Sequence, residues 1–199
     1  MGRIFFTSDT HFDHARILVL GAGRPFRDID HMNETLVANA WEVMGEDDTL
    51  YHLGDAAMGD FDKSLGLLRR MPGKKKFLIP GNHDKVFPRL NTRARIDRFT
   101  PRYEEAGYEV LDIHHEINLQ GERVLLSHVP YSPERLDGRA DKLAFARPED
   151  QGLWLVHGHT HSDSKSSEHP REIHVGVDAN DWRPVSEDEI LSRIRSADF

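Results

Sequence analysis

Residues 76–84 read Lys76-Phe77-Leu78-Ile79-Pro80-Gly81-Asn82-His83-Asp84. A short apolar run of strand length stops at a Pro-Gly break and delivers an amide, an imidazole and a carboxylate in succession. The glycine permits a tight turn, Asn82 offers a neutral oxygen, His83 offers an ionisable imidazole, and Asp84 is placed to orient an imidazole. Few purely structural needs call for that combination.

Working outward, the same arrangement recurs along the chain. The run 4–6 leads to Asp9-x-His11, the run 50–53 to Gly54-Asp55, the run 124–127 to His128, and the run 153–156 to Gly158-His159-Thr160-His161. Each cluster is therefore expected where a strand gives way to a loop, the place where functional side chains gather on a rigid scaffold. Taken singly, an Asp-x-His triplet also serves as a turn or cap, and Asp55 could cap backbone amides at a strand-to-helix turn. Five clusters in order can converge on one dinuclear metal site.

Between the clusters, strands and helices alternate: 3–8 as strand, 28–44 as helix with Asp28 as N-cap, 49–53 as strand, 62–71 as helix and 76–79 as strand. After Tyr108 the pattern changes. Residues 109–118 and 122–127 read as strands joined at Leu119-Gln120-Gly121, and 153–156 and 173–177 follow with no long helix between, so a second sheet is expected. Ser186 and Glu189 form a capping box that opens a terminal helix with Ile190, Leu191 and Ile194 on its apolar face. Residues 162–170 are polar and read as a mobile loop, and Lys74-Lys75-Lys76 as a solvated strand entrance.

The length of 199 residues suits a single domain over 1–199, large enough to bury most of its apolar surface. With no Cys, disulfides and thiolate metal sites are excluded, which fits a cytoplasmic protein, and any metal must be held by His, Asp, Asn and water. The apolar run 4–6 is too short for a signal peptide, Phe6 stands where myristoylation needs Ser or Thr, and no run approaches membrane-spanning length. The net charge of −8 disfavours broad adhesion to nucleic acid but not a phosphate substrate, because two divalent ions would reverse the local field.

The ordered clusters, together with Ser8-Asp9-Thr10-His11-Phe12, Arg24-Pro25-Phe26, Met32-Asn33-Glu34, Tyr51-His52-Leu53-Gly54-Asp55 and Gly176-Val177-Asp178, resemble the calcineurin-like metallophosphoesterase superfamily, in particular its compact, uncapped bacterial and phage members. That resemblance implies an α/β four-layer sandwich, with two mixed β-sheets flanked by helices. It implies one metal on Asp9, His11, Asp55 and His161 and a second on Asp55, Asn82, His128 and His159, with Asp55 bridging. The ions would be divalent or mixed-valence, Mn or Fe first and Zn as a further fit. It also implies hydrolysis of phosphodiesters, and of phosphomonoesters beside them, by a metal-bridging hydroxide, with His83 as general acid supported by Asp84.

His14 and Arg24 are candidates for substrate contact, Arg24 through its planar fork, although each has a reading as a loop residue. His52 and His157 are expected as satisfied core histidines, and Phe12, Tyr131 and Trp182 as packing residues. A phosphoester, nucleotides included, is the expected partner, with nucleic acid only as substrate and no membrane. Two other readings stand beside this one: a metal-dependent nuclease, and a non-catalytic scaffold on the same fold.

Overall fold

Strand β1 (Ile4–Thr7) points Phe5 and Phe6 to opposite sides, and that alternation sets the layering. In the computed structural model, which describes residues 2–20, 23–133, 141–165, 167 and 169–197, Phe5 enters one core and Phe6 another. Leu50 of β2 (Thr49–His52) and Leu78 of β3 (Lys75–Leu78) follow Phe5, while Leu53 and Ile79, just past those strands, follow Phe6. Strands buried on both faces read as continuous apolar runs, as these do.

The first core is closed by α1 (Ile29–Val43), α2 (Phe61–Arg70) and α3 (Arg93–Glu105), which contribute Met32, Leu36, Leu65, Leu68 and Tyr103. The second core lies between the two sheets and takes Val124, Leu126, Val156 and Ile173, with Ile190, Leu191 and Ile194 from α4 (Glu187–Ser196). The first sheet has the order β4-β3-β2-β1-β9, parallel except for β9 (Val185–Ser186), which pairs antiparallel with β1. The second has the order β5-β6-β7-β8, with β5 (His114–Leu119) antiparallel to β6 (Glu122–Ser127), and β7 (Trp154–His157) and β8 (Glu172–His174) parallel to it. Two mixed sheets flanked by helices is the expected α/β architecture.

Asp28 caps α1 by accepting from the His31 amide at 2.8 Å, and Ser186 and Glu189 form the expected reciprocal box on α4. Three expectations are corrected. Residues 109–118 are two strands in different sheets, β4 (Tyr108–Val110) beside β3 and β5 beside β6, because the chain leaves the first sheet at 111–113. Helix α3 was not anticipated. Lys76 is only partly exposed: its ammonium donates to the carbonyls of Leu68, Arg69 and Met71 at 3.2–3.3 Å, tying the C-terminal end of α2 to β3. The polar stretch 162–170 carries no helix or strand among its described residues, and Ser166 and Glu168 lie outside them.

Candidate metal centre

Six strands run parallel within the two sheets and carry functional side chains beyond their C-terminal ends. In the first sheet β1 ends before Asp9 and His11, β2 before Asp55, and β3 before Asn82 and His83; in the second β6 ends before His128, β7 before His159 and His161, and β8 before Asp178. Ligand sites of open α/β sheets occupy this edge. A bridge between Ser8 and Gly176 joins the sheets there, and the Ser8 hydroxyl donates to the Leu53 carbonyl at 2.7 Å.

The turns are sharp. Asp9, His11, Asp55, His159 and His161 have φ of 59°, 46°, 53°, 73° and 48°. Side chains rarely occupy this left-handed region, at about 1–3 kcal/mol each, and such residues concentrate at functional sites. The loops also touch closely: a Cβ on Gly81 would lie 2.3 Å from both the amide nitrogen and Oδ1 of Asp55. Only glycine allows the two loops to meet.

Two groups of three donors result, each with its ligand atoms within 4.8 Å of one another: Asp9, His11 and His161, and Asp55, His128 and His159. In the first, Asp9 Oδ1 faces His161 Nε2 at 3.8 Å and His11 Nε2 at 4.0 Å, while Oδ2 accepts from the His159 amide at 2.9 Å. In the second, His128 Nδ1 donates to the Leu53 carbonyl at 2.7 Å, so Nε2 turns toward Asp55 Oδ2 at 3.6 Å and Asn82 Oδ1 at 3.2 Å. Asp55 Oδ2 also lies 3.5 Å from His11 Nε2. One carboxylate oxygen thus stands between the two groups.

This donor set fits a pair of metal ions. Asp9 Oδ1 and His11 Nε2 are buried yet have no hydrogen-bond partner among the described residues, a costly arrangement that a coordinated cation relieves. Burial pushes the His11 ring down to about 3, leaving the neutral imidazole a metal requires. Burial alone would raise the carboxyls of Asp9 and Asp55, but neighbouring imidazoles, led by His128, hold both well below the usual range. Burial opposes the charge on His128 as well, and the Asp55 carboxylate outweighs it, lifting that ring to about 9; a cation in the same place would displace the proton.

His83 stands at the mouth with its side chain 48% exposed and Nε2 3.9 Å from Asp55 Oδ2. The expected His83–Asp84 pairing is corrected. Asp84 is buried and accepts from the Asp55 amide at 2.8 Å, the Gly81 amide at 2.8 Å, the Ala56 amide at 3.2 Å and the Tyr103 hydroxyl at 3.1 Å. With two donors on each oxygen it has nothing left for His83, and it clamps the loops that carry Asp55 and Asn82.

Arg24 is corrected too. It is 5% exposed; its guanidinium forms a fork with Asp178 at 2.9 Å and donates to the carbonyls of Asp9 at 2.7 Å and Thr10 at 3.3 Å. That holds the first left-handed turn and leaves no donor for substrate. His14 lines the cleft at the metal centre, with Nδ1 3.3 Å from Nδ1 of His11. His157 is buried and bonded at both ring nitrogens and Phe12 is core, as expected, whereas the buried His52 is bonded to Thr10 through Nε2 but has no partner at Nδ1 among the described residues.

Asp178 had been assigned no role. It accepts from His161 Nδ1 at 2.9 Å while paired with Arg24, and so fixes which ring nitrogen of His161 faces the donor group. Its position after an apolar strand, in Gly176-Val177-Asp178, repeats the pattern of Gly54-Asp55. Tyr103 had no comparable signal.

Comparison with known proteins agrees with this geometry. Residues 3–176 match the calcineurin-like phosphoesterase superfamily domain. The chain is 36% identical to the Gene 66 protein of Mycobacterium phage L5, over 98% of this chain and 95% of that one. It is 30% identical to the uncharacterized protein MJ1445 of Methanocaldococcus jannaschii, over 98% and 92%. Among solved structures it is similar to the protein of unknown function AQ665 from Aquifex aeolicus, with TM-score 0.72 and 27% identity over 96% of this chain and 99% of that one.

Proposed function

Since the chain belongs to the calcineurin-like phosphoesterase superfamily, and is on that ground a metal-dependent phosphoric ester hydrolase, we propose that it is a single-domain phosphodiesterase with a dinuclear centre, which also accepts phosphomonoesters. The observation that carries this reading is Asp55 Oδ2, placed between the two donor groups at 3.5 Å from His11 Nε2 and 3.6 Å from His128 Nε2. Asp9, His11, Asp55 and His161 would hold one ion, and Asp55, Asn82, His128 and His159 the other. A donor set of oxygen and imidazole suits Mn, Fe and Zn. The chemistry supplied there is the usual pair of effects, a water made acidic near neutral pH and neutralisation of the phosphoryl oxygens.

The protein's own groups do the rest. The Leu53 carbonyl and Asp178 orient His128 and His161, so that neutral ring nitrogens face inward. His83 lies beside Asp55 and open to the cleft, where its imidazolium can protonate the departing ester oxygen, a step an alkoxide needs and a nitrophenolate does not. His83→Ala is expected to keep both metals by elemental analysis. It should slow an alkyl diester by about 10²–10⁴-fold and a p-nitrophenyl diester far less. Equal losses on the two esters would remove His83 from that role.

A further inference from the structure

The cleft beside the metal centre has a volume of about 520 Å³. His11 and His161 reach it from the first donor group and His83 from the mouth, and most of the remaining lining comes from His14, Arg16, Ile17, Leu20, Arg24 and Met58. Several polar groups on that side are committed elsewhere: Arg24 to Asp178 and two backbone carbonyls, Asp178 to Arg24 and His161, and His14 Nδ1 to His11. What remains is Ile17, Leu20 and Met58, together with the Arg16 guanidinium, which has no hydrogen-bond or ion-pair partner among the described residues. Leu20 is 44% exposed, an apolar side chain left uncovered on the wall of a cavity.

We propose that this wall binds the organic group esterified to the phosphate and selects flat aromatic groups over small ones. The inference rests on the phosphoesterase reading above and names the substrate class of that same site. An aromatic substituent removes more apolar surface of Leu20 and Met58 from water than a small one does. The Arg16 guanidinium plane can stack on such a ring. Catalytic groups and apolar wall share one cavity, so a phosphate held at the metals places its substituent against these residues.

Phosphonates carry a single organic group and are not hydrolysed, which makes them suitable probes. Calorimetric titration of the Mn-loaded protein should show phenylphosphonate binding at least about tenfold more tightly than methylphosphonate. Leu20→Ser, at an exposed position where folding is not at risk, should narrow the phenyl-to-methyl ratio, and Leu20→Ser with Met58→Ser should bring it to about twofold or less. Equal binding of the phenyl and methyl probes by the wild-type protein, or a ratio that survives both substitutions, would overturn the apolar wall while leaving the phosphoesterase reading intact. If neither phosphonate binds the metal-loaded protein, the reading of the site itself falls, and the wall with it.

Discussion

Asp84 and Arg24 each spend their hydrogen-bonding capacity inside the protein, and that dictates what their loss does. In Asp84→Asn the amide nitrogen must face two of the four donors now bound, leaving buried polar groups unpaired at a cost of about 2–4 kcal/mol. The expected outcome is lower stability and lower metal occupancy, with rates on alkyl and nitrophenyl esters reduced in the same proportion. A loss confined to alkyl esters would instead link Asp84 to proton donation by His83. Arg24→Met removes one partner of a buried ion pair and releases the Asp9 turn, so denaturant titration should show a loss of about 3 kcal/mol. A raised KM with unchanged stability would restore Arg24 as a substrate contact. The seven candidate ligands were legible because metal-binding side chains follow apolar runs, a pattern visible without coordinates. The partners of Asp84 and Arg24 were not, because left-handed turns at Asp9 and Asp55 send neighbouring side chains in directions that sequence adjacency does not give.

Among the elements, the parallel half of the fold was legible because strands buried on both faces are continuous apolar runs and α1 and α4 carry explicit caps. Helix α3 was hidden. Ile96, Phe99 and Tyr103 fall at helical spacing, but only Tyr103 is buried, and Arg93, Arg95, Arg98, Arg102 and an internal Pro101 mask the stripe. The break between β4 and β5 was hidden because Leu111, Asp112 and Ile113 alternate apolar and polar as a half-buried strand does, yet pass from one sheet to the other, a step set by tertiary packing. Lys76 shows the same limit, since a lysine run gives no sign that one ammonium will fold back to cap the preceding helix. Lys76→Met removes three donors from the last carbonyls of α2 and a cation 5.0 Å from the Tyr108 ring. The expected cost is about 1–2 kcal/mol, read as a lower denaturation midpoint. A change within about 0.5 kcal/mol would mean the side chain is merely solvated.

For the molecule as a whole, the two sheets meet along the edge where five left-handed residues, two buried carboxylates and four inward-facing imidazoles are concentrated. This arrangement opposes folding on its own, because Asp9 Oδ1 and His11 Nε2 give up water without gaining a protein partner. Cations that bind only the folded edge therefore stabilise the entire sandwich, by about 4 kcal/mol for each site at free metal a thousandfold above its dissociation constant. In a chain of 199 residues each kilocalorie moves the melting temperature by about 2–4 °C. Chelation is accordingly expected to lower Tm by roughly 10 °C or more, and excess Mn to restore it. Asp55 stands between both groups, so Asp55→Asn should weaken both sites together and shrink the chelator-dependent shift as a whole, whereas His161→Ala should remove only one site's share. A Tm indifferent to chelator would show that the edge is held by protein contacts alone, and a full-sized shift surviving in Asp55→Asn would show that Asp55 is not shared.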